Sequence, residues 1–188
     1  MTAESDMQRE LLDRQAIHDV VLRYCRGIDR LDFDLVRSCY HPDAIDHHTG
    51  FDGSVDDYIA WVRPKLETLG GTMHHVGNHL VELFGDVAIA ETYSMNVHWG
   101  HPAGGDFTSG ARFVDLMERR DGRWAIAQRW AVREWTRSDA DRMTAPEAAG
   151  PRGRRDGQDL VQRLRDDILA EKEPSTRGRI LPPDKEIR

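Results

Sequence analysis

Cysteine is almost missing from this chain: Cys25 and Cys39 are the only two in 188 residues. Two thiols cannot staple an exported scaffold, so a reducing cytoplasm is the expected setting. Long apolar runs are missing too. None approaches the ~20 residues a transmembrane helix needs, so no membrane association is expected. The opening stretch MTAESDMQRELLDRQ holds acids and no apolar core, which does not suit a secretory signal. Nor is there an excess of positive charge. The net charge is −7, which excludes nucleic acid as the main partner, because phosphate binding needs a clustered positive field. Several catalytic signatures are absent: no Gly-x-Ser-x-Gly, no phosphate-binding loop, and no dinucleotide Gly-x-Gly-x-x-Gly between a strand and a helix.

What is there suits one well-cored domain. From Leu11 to Ile28 the residues Ile17, Val20, Val21, Tyr24, Cys25 and Ile28 fall at helical spacing, with charged residues opposite. Gly27 marks the expected end of this helix. Asp32 can cap a second helix, Phe33 to Tyr40, closed by Pro42. Ser54-Val55-Asp56-Asp57 reads as a capping box opening a third helix, which Gly70-Gly71 stops. After Thr72 the period changes to two, and 73–84, 87–99, 108–119 and 123–135 read as strands. Gly85-Asp86 and Asp121-Gly122 are hairpin turns, the second suited to type I′. Three helices followed by an antiparallel meander predict an α+β fold, with helices packed on one face of a curved sheet.

One face of strand 87–99 carries Ala88, Ala90, Thr92, Ser94, Asn96 and His98. Small residues ending in polar ones suit a wall that encloses space; a face tightly covered by the first helix is the equal alternative. Residues 138–188 balance acids against bases, unlike the acidic body. They divide into a Pro/Gly/Arg-rich linker, a short helix candidate at Leu160–Leu169 and a Pro-containing end. A solvated tail is the favoured reading.

Asp29 is the first residue that could carry chemistry. It sits at the end of the first helix, where the macrodipole disfavours a carboxylate, and it projects from the apolar stripe. It is either a cap beside Arg30 or an acid with a buried partner. His74 is the second. Within Met73-His74-His75-Val76-Gly77-Asn78-His79, strand alternation puts His74, Val76, Asn78 and Leu80 on one face, and His75 and His79 on the other. A strand histidine opposite an acid can serve as a general base. No metal site is expected: His74 and His75 diverge, and His47-His48 reads as loop without ligand spacing. Cys25, on the apolar stripe, reads as packing.

The pattern Ile17-x-x-Val20-x-x-x-Tyr24-x-x-x-x-Asp29, then Asp32, Pro42-Asp43-Ala44, Thr72-Met73-His74 and Asn78, resembles the SnoaL-like branch of the nuclear-transport-factor-2-like superfamily. Glu118 to Trp124, with Arg129 and Arg133, matches as well. The resemblance covers about residues 8–136 and implies a cone-shaped α+β barrel at 5–137, with 138–188 as a charged extension. Within that branch the chain is similar to scytalone dehydratase, hexachlorocyclohexane dehydrochlorinase and bile-acid 7α-dehydratase, which use a His–Asp dyad. By this match Asp29 and His74 take the dyad positions, while Tyr24, Asn96 and Arg133 take pocket positions. Asn96 stands where the bile-acid enzyme has an acid.

The resemblance therefore implies a lyase, a dehydratase acting on an apolar cyclic or polycyclic carbonyl compound, with no cofactor and no metal. Isomerisation or cyclisation by the same proton abstraction is the near alternative. A non-catalytic binding or assembly subunit is the alternative of another class, with Trp99, Trp130 and Trp135 as contact residues. A homo-oligomer is expected, a trimer before a dimer.

Overall fold

The six apolar residues at helical spacing are all buried, so they lay one face of α1 (Ala3–Arg30) on the core. The helix does not stop at Gly27. It runs to Arg30 and turns at Leu31, which takes the left-handed conformation with φ 57°. The Leu31 N–H then donates to the Ile28 carbonyl at 3.3 Å, and the Asp32 N–H to that of Gly27 at 2.8 Å. Gly27 serves packing instead: a Cβ there would stand 2.7 Å from Val36 Cγ2 of α2 (Phe33–Ser38). Asp32 caps α2 by accepting from the Leu35 N–H at 2.9 Å. Ser54 caps α3 (Val55–Glu67) by accepting from the Asp57 N–H at 3.2 Å.

This computed structural model describes residues 3–138, 155–158 and 166. The chain divides into two units, Met1–Met143 and Thr144–Arg188, and every helix and strand named here belongs to the first. The helix candidate at Leu160–Leu169 lies, but for Asp166, outside the described residues.

The strands are β1 (Tyr40–His48), β2 (Phe51–Ser54), β3 (Gly71–Phe84), β4 (Val87–Trp99), β5 (Phe107–Arg120) and β6 (Arg123–Ser138). They lie in the order β2-β1-β6-β5-β4-β3. The last four form the expected antiparallel meander. At the β5–β6 turn, Asp121 and Gly122 both have positive φ, 53° and 76°, as a type I′ turn demands. β1 and β2 are additions to the expected set. Tyr40 opens β1 rather than closing α2, and Pro42 lies inside β1. His47-His48 belongs to the same strand, not to a loop. β1 pairs with β6 in parallel, so the sheet is mixed. Its run of proline, aspartate and histidine conceals a strand because the pairing that makes it one comes from the far end of the domain.

The alternation of β3 also breaks once. Val76 pairs with Ser94 and His79 with Thr92, so Gly77 and Asn78 together oppose Tyr93. Beyond this bulge the faces exchange. Leu80 is exposed, and His79 turns inward, where its Nδ1 meets Thr92 Oγ1 at 2.7 Å.

On β4 the two readings of the small-residue face each hold for one half. Ala88 and Ala90 sit in the core with the α1 stripe, while Asn96 and His98 line a cavity. Deep in the domain, Arg129 donates to Asp115 through Nε and Nη2, each at 2.7 Å, and neither residue is exposed. Its guanidinium lies 4.0 Å from the Tyr24 ring centroid and 4.4 Å from that of Phe113. Burial alone works against this charge, but Asp115, Tyr40 and Tyr24 outweigh it and hold the guanidinium well above its ordinary pKa. Among the described residues no helix is long and apolar enough to cross a membrane.

Candidate active site

Asp29 occupies the last turn of α1 and is 8% exposed. A carboxylate there faces the negative end of the helix dipole, so it needs donors from elsewhere. β3 supplies three. Thr72 Oγ1 donates to Oδ1 at 3.0 Å, the His74 backbone N–H to Oδ2 at 2.9 Å, and His74 Nδ1 meets Oδ1 at 2.6 Å. With Nδ1–H given to the carboxylate, Nε2 is the nitrogen left for a substrate. Thr72 and His74 share one strand face, which is why Thr-x-His delivers a hydroxyl and an imidazole to the same acid.

His74 lines a cavity of about 540 Å³. Its walls come from α1 (Tyr24, Ile28), α3 (Tyr58, Trp61, Leu66) and the concave face of the sheet (Asn96, Phe113, Ala131). The expected residues Tyr24, Asn96 and Arg133 therefore line the same cavity as His74, and Asp29 supports it from behind. Arg133 remains exposed, whereas Asn96 is buried and its Oδ1 has no hydrogen-bond partner among the described residues. A buried polar atom left over beside a cavity suits a ligand. The Tyr24 hydroxyl meets the Tyr58 hydroxyl at 2.7 Å. Burial, then the neighbouring Tyr40, keeps the Tyr24 phenol well above its ordinary pKa, so it is a neutral donor.

His75 faces outward, and Cys25 is packed in the core. Burial pushes the Cys25 thiol up to about 12, which suits packing and not nucleophilic attack. Among the described residues no group of three or more His, Cys, Asp or Glu side chains could hold a metal ion.

Sequence reasoning passed over one cluster. Asp46 and His48, two apart on β1, share a face, and the Asp46 carboxylate receives His48 Nδ1 in a very short contact. Strand alternation would have paired them had β1 been recognised. His48 also lines the cavity, whereas His47 turns to the other side and stacks on Trp130.

Comparison with known proteins agrees with this architecture. A putative scytalone dehydratase from Novosphingobium aromaticivorans superposes with a TM-score of 0.65 at 17% identity, over 77% of this chain and 99% of that one. A hexachlorocyclohexane dehydrochlorinase of LinA type 3 from Novosphingobium barchaimii gives 0.66 at 20% identity, over 75% and 99%. The Kfla4162 protein from Kribbella flavida gives 0.62 at 20% identity, over 68% and 95%. At such identities the likeness is one of fold. No curated protein sequence matches the chain. The SnoaL-like domain model matches residues 9–130, well over half of the chain, and the protein belongs to the SnoaL-like domain family.

Proposed function

We propose that this protein is a cofactor-independent lyase, a dehydratase acting on an apolar cyclic or polycyclic carbonyl compound. The observation that carries the reading is the 2.6 Å contact between Asp29 and His74 Nδ1, with the imidazole opening on a largely apolar and aromatic cavity. His74 Nε2 takes a proton from the carbon next to the carbonyl, and Asp29 holds the tautomer and stabilises the imidazolium that forms. Tyr24 and Arg133 donate hydrogen bonds to the carbonyl or departing oxygen, where negative charge develops, and Asn96 Oδ1 accepts from the departing hydroxyl. The dehydratase and dehydrochlorinase named among the structural neighbours support an elimination on this scaffold. Isomerisation or cyclisation would start with the same proton abstraction and would be told apart by the product.

Kinetics of variants tests the reading. His74→Ala should lose roughly 10²–10⁴-fold in turnover or more, with ligand affinity and folding nearly intact. Asp29→Asn, which keeps shape and loses charge, should be severely impaired as well. Arg133→Ala should weaken binding and rate together, since its contact exists in the ground and transition states alike. A binding subunit would show comparable affinity losses at several pocket positions, with nothing special at His74. Near-normal turnover by His74→Ala on a substrate the parent processes would end the lyase reading.

A further inference from the structure

Removing water from a carbonyl compound needs two proton movements: one off carbon, and one onto the departing hydroxyl. The dyad accounts for the first. For the second, Asn96 has no proton of useful acidity, and burial holds the phenols of Tyr24 and Tyr58 well above their ordinary pKa. Of the other imidazoles that line the same cavity, those of His48, His98 and His101, the setting of His48 repeats that of His74. Asp46 is wholly buried. Its Oδ1 is in very short contact with His48 Nδ1, and its Oδ2 accepts from the Tyr40 hydroxyl at 2.7 Å. Asp29 divides its two oxygens in the same way, one on a His Nδ1 and the other on a fixed donor. The His48 ring stacks on Tyr58 with centroids 4.5 Å apart. Its Nε2 lies 3.5 Å from the Tyr58 hydroxyl, which in turn meets Tyr24 at 2.7 Å.

Topology sets the two imidazoles apart. In the order β2-β1-β6-β5-β4-β3, His48 on β1 and His74 on β3 are four strand steps distant, about 19 Å along the sheet at the usual strand spacing. The curved sheet nevertheless brings both to one cavity. Two acid-held histidines on separate walls of a pocket can handle two protons at two ends of one substrate.

We propose that His48, held by Asp46, is a second catalytic residue: the general acid that protonates the leaving oxygen. This rests on the lyase reading and extends it. His74 Nε2 takes the carbon-bound proton, and the C–H electron pair becomes the new C=C bond. The C–O bond breaks with its pair going to oxygen, which takes the Nε2 proton of the His48 imidazolium and departs as water. His74 then returns one proton to solvent and His48 regains one, so the cycle closes. Asp46 acts through His48 as a positioning residue, presenting Nε2 to the cavity.

The test compares two probes on one ring: a β-hydroxy cyclic ketone, and its β-(4-nitrophenoxy) analogue, whose leaving group departs without a proton. His48→Gln keeps a donor for Asp46, so the buried carboxylate is not orphaned. It should lose about 10²-fold or more on the hydroxy ketone and less than about 3-fold on the nitrophenoxy ketone. Asp46→Asn should show the same asymmetry, more weakly, whereas His74→Ala should lose on both probes alike. Equal losses for His48→Gln on both, or none on either, would overturn the acid role and leave the lyase reading standing. Retained turnover by His74→Ala, or a wild type that eliminates neither probe, would overturn both. Nitrogen-15 spectra of the native protein add a check that needs no variant to fold: His48 must carry its proton bond to Asp46 at Nδ1. An Nδ1 without that bond would refute the proposal.

Discussion

Asp29 and Asp46 show what a buried carboxylate costs at the scale of one side chain. Each is kept by handing both oxygens to donors, and each thereby orients an imidazole. Asp115 uses the other solution, a bidentate ion pair with Arg129 in a site with no exposure. Asp115→Asn would leave that guanidinium charge uncompensated, and a loss of about 3–5 kcal/mol is expected in denaturant unfolding. A change below about 1 kcal/mol would mean that the rings of Tyr24 and Phe113 suffice. Cys25 supplies a pH test. Burial raises its thiol from 9 to about 12. Between those values the unfolded chain has lost the proton and the folded chain keeps it, so stability present below pH 9 is lost as pH rises toward 12. Urea midpoints should fall between pH 8 and 10.5, and Cys25→Ala should fall less steeply. Identical slopes would contradict the shift.

Among the elements, caps and turns obey local chemistry. Asp32, Ser54 and Asp121-Gly122 do in the structure what their residue types do elsewhere. Gly27 is the exception, because what constrains it belongs to another helix. Gly27→Ala puts a Cβ 2.7 Å from Val36 Cγ2 and 3.0 Å from the Asp32 carbonyl oxygen. The gain in helix propensity should be outweighed, for a net loss of about 1–3 kcal/mol by thermal or urea unfolding. A stabilised variant would show that α2 can move aside. The bulge at Gly77-Asn78 was illegible for a related reason: a two-residue period assumes an unbroken ladder, and only the register with β4 reveals the extra residue.

For the whole molecule, the outer sheet face is the feature that asks for a partner. Met73, Tyr93, Met95 and Trp135 are 42–51% exposed. Trp99, expected on that surface, is half-buried and lies over its cross-strand partner Gly71, where a Cβ would meet its ring at 2.3 Å. We expect a homo-oligomer built on this face, a trimer before a dimer. Sedimentation at micromolar concentration should give a multiple of 21.5 kDa, and Met95→Glu should shift it toward monomer. A parent sedimenting as a monomer would refute this.

By itself the sequence determined what short-range physics decides: the α1 stripe, the helix caps, the meander of β3 to β6, and the likeness that singled out Asp29 and His74. Those signals lie in spacing and in turn chemistry, which a chain carries before it folds. Tertiary structure decided the rest. β1 became a strand because β6 offered it a parallel edge, and only then did Asp46 and His48 share a face. α1 ends at the left-handed turn of Leu31, three residues past the glycine, and Gly27 answers to the clearance Val36 needs rather than to a helix stop. The cavity formed because a curved sheet brings residues from its separated strands around one space, which no local pattern encodes.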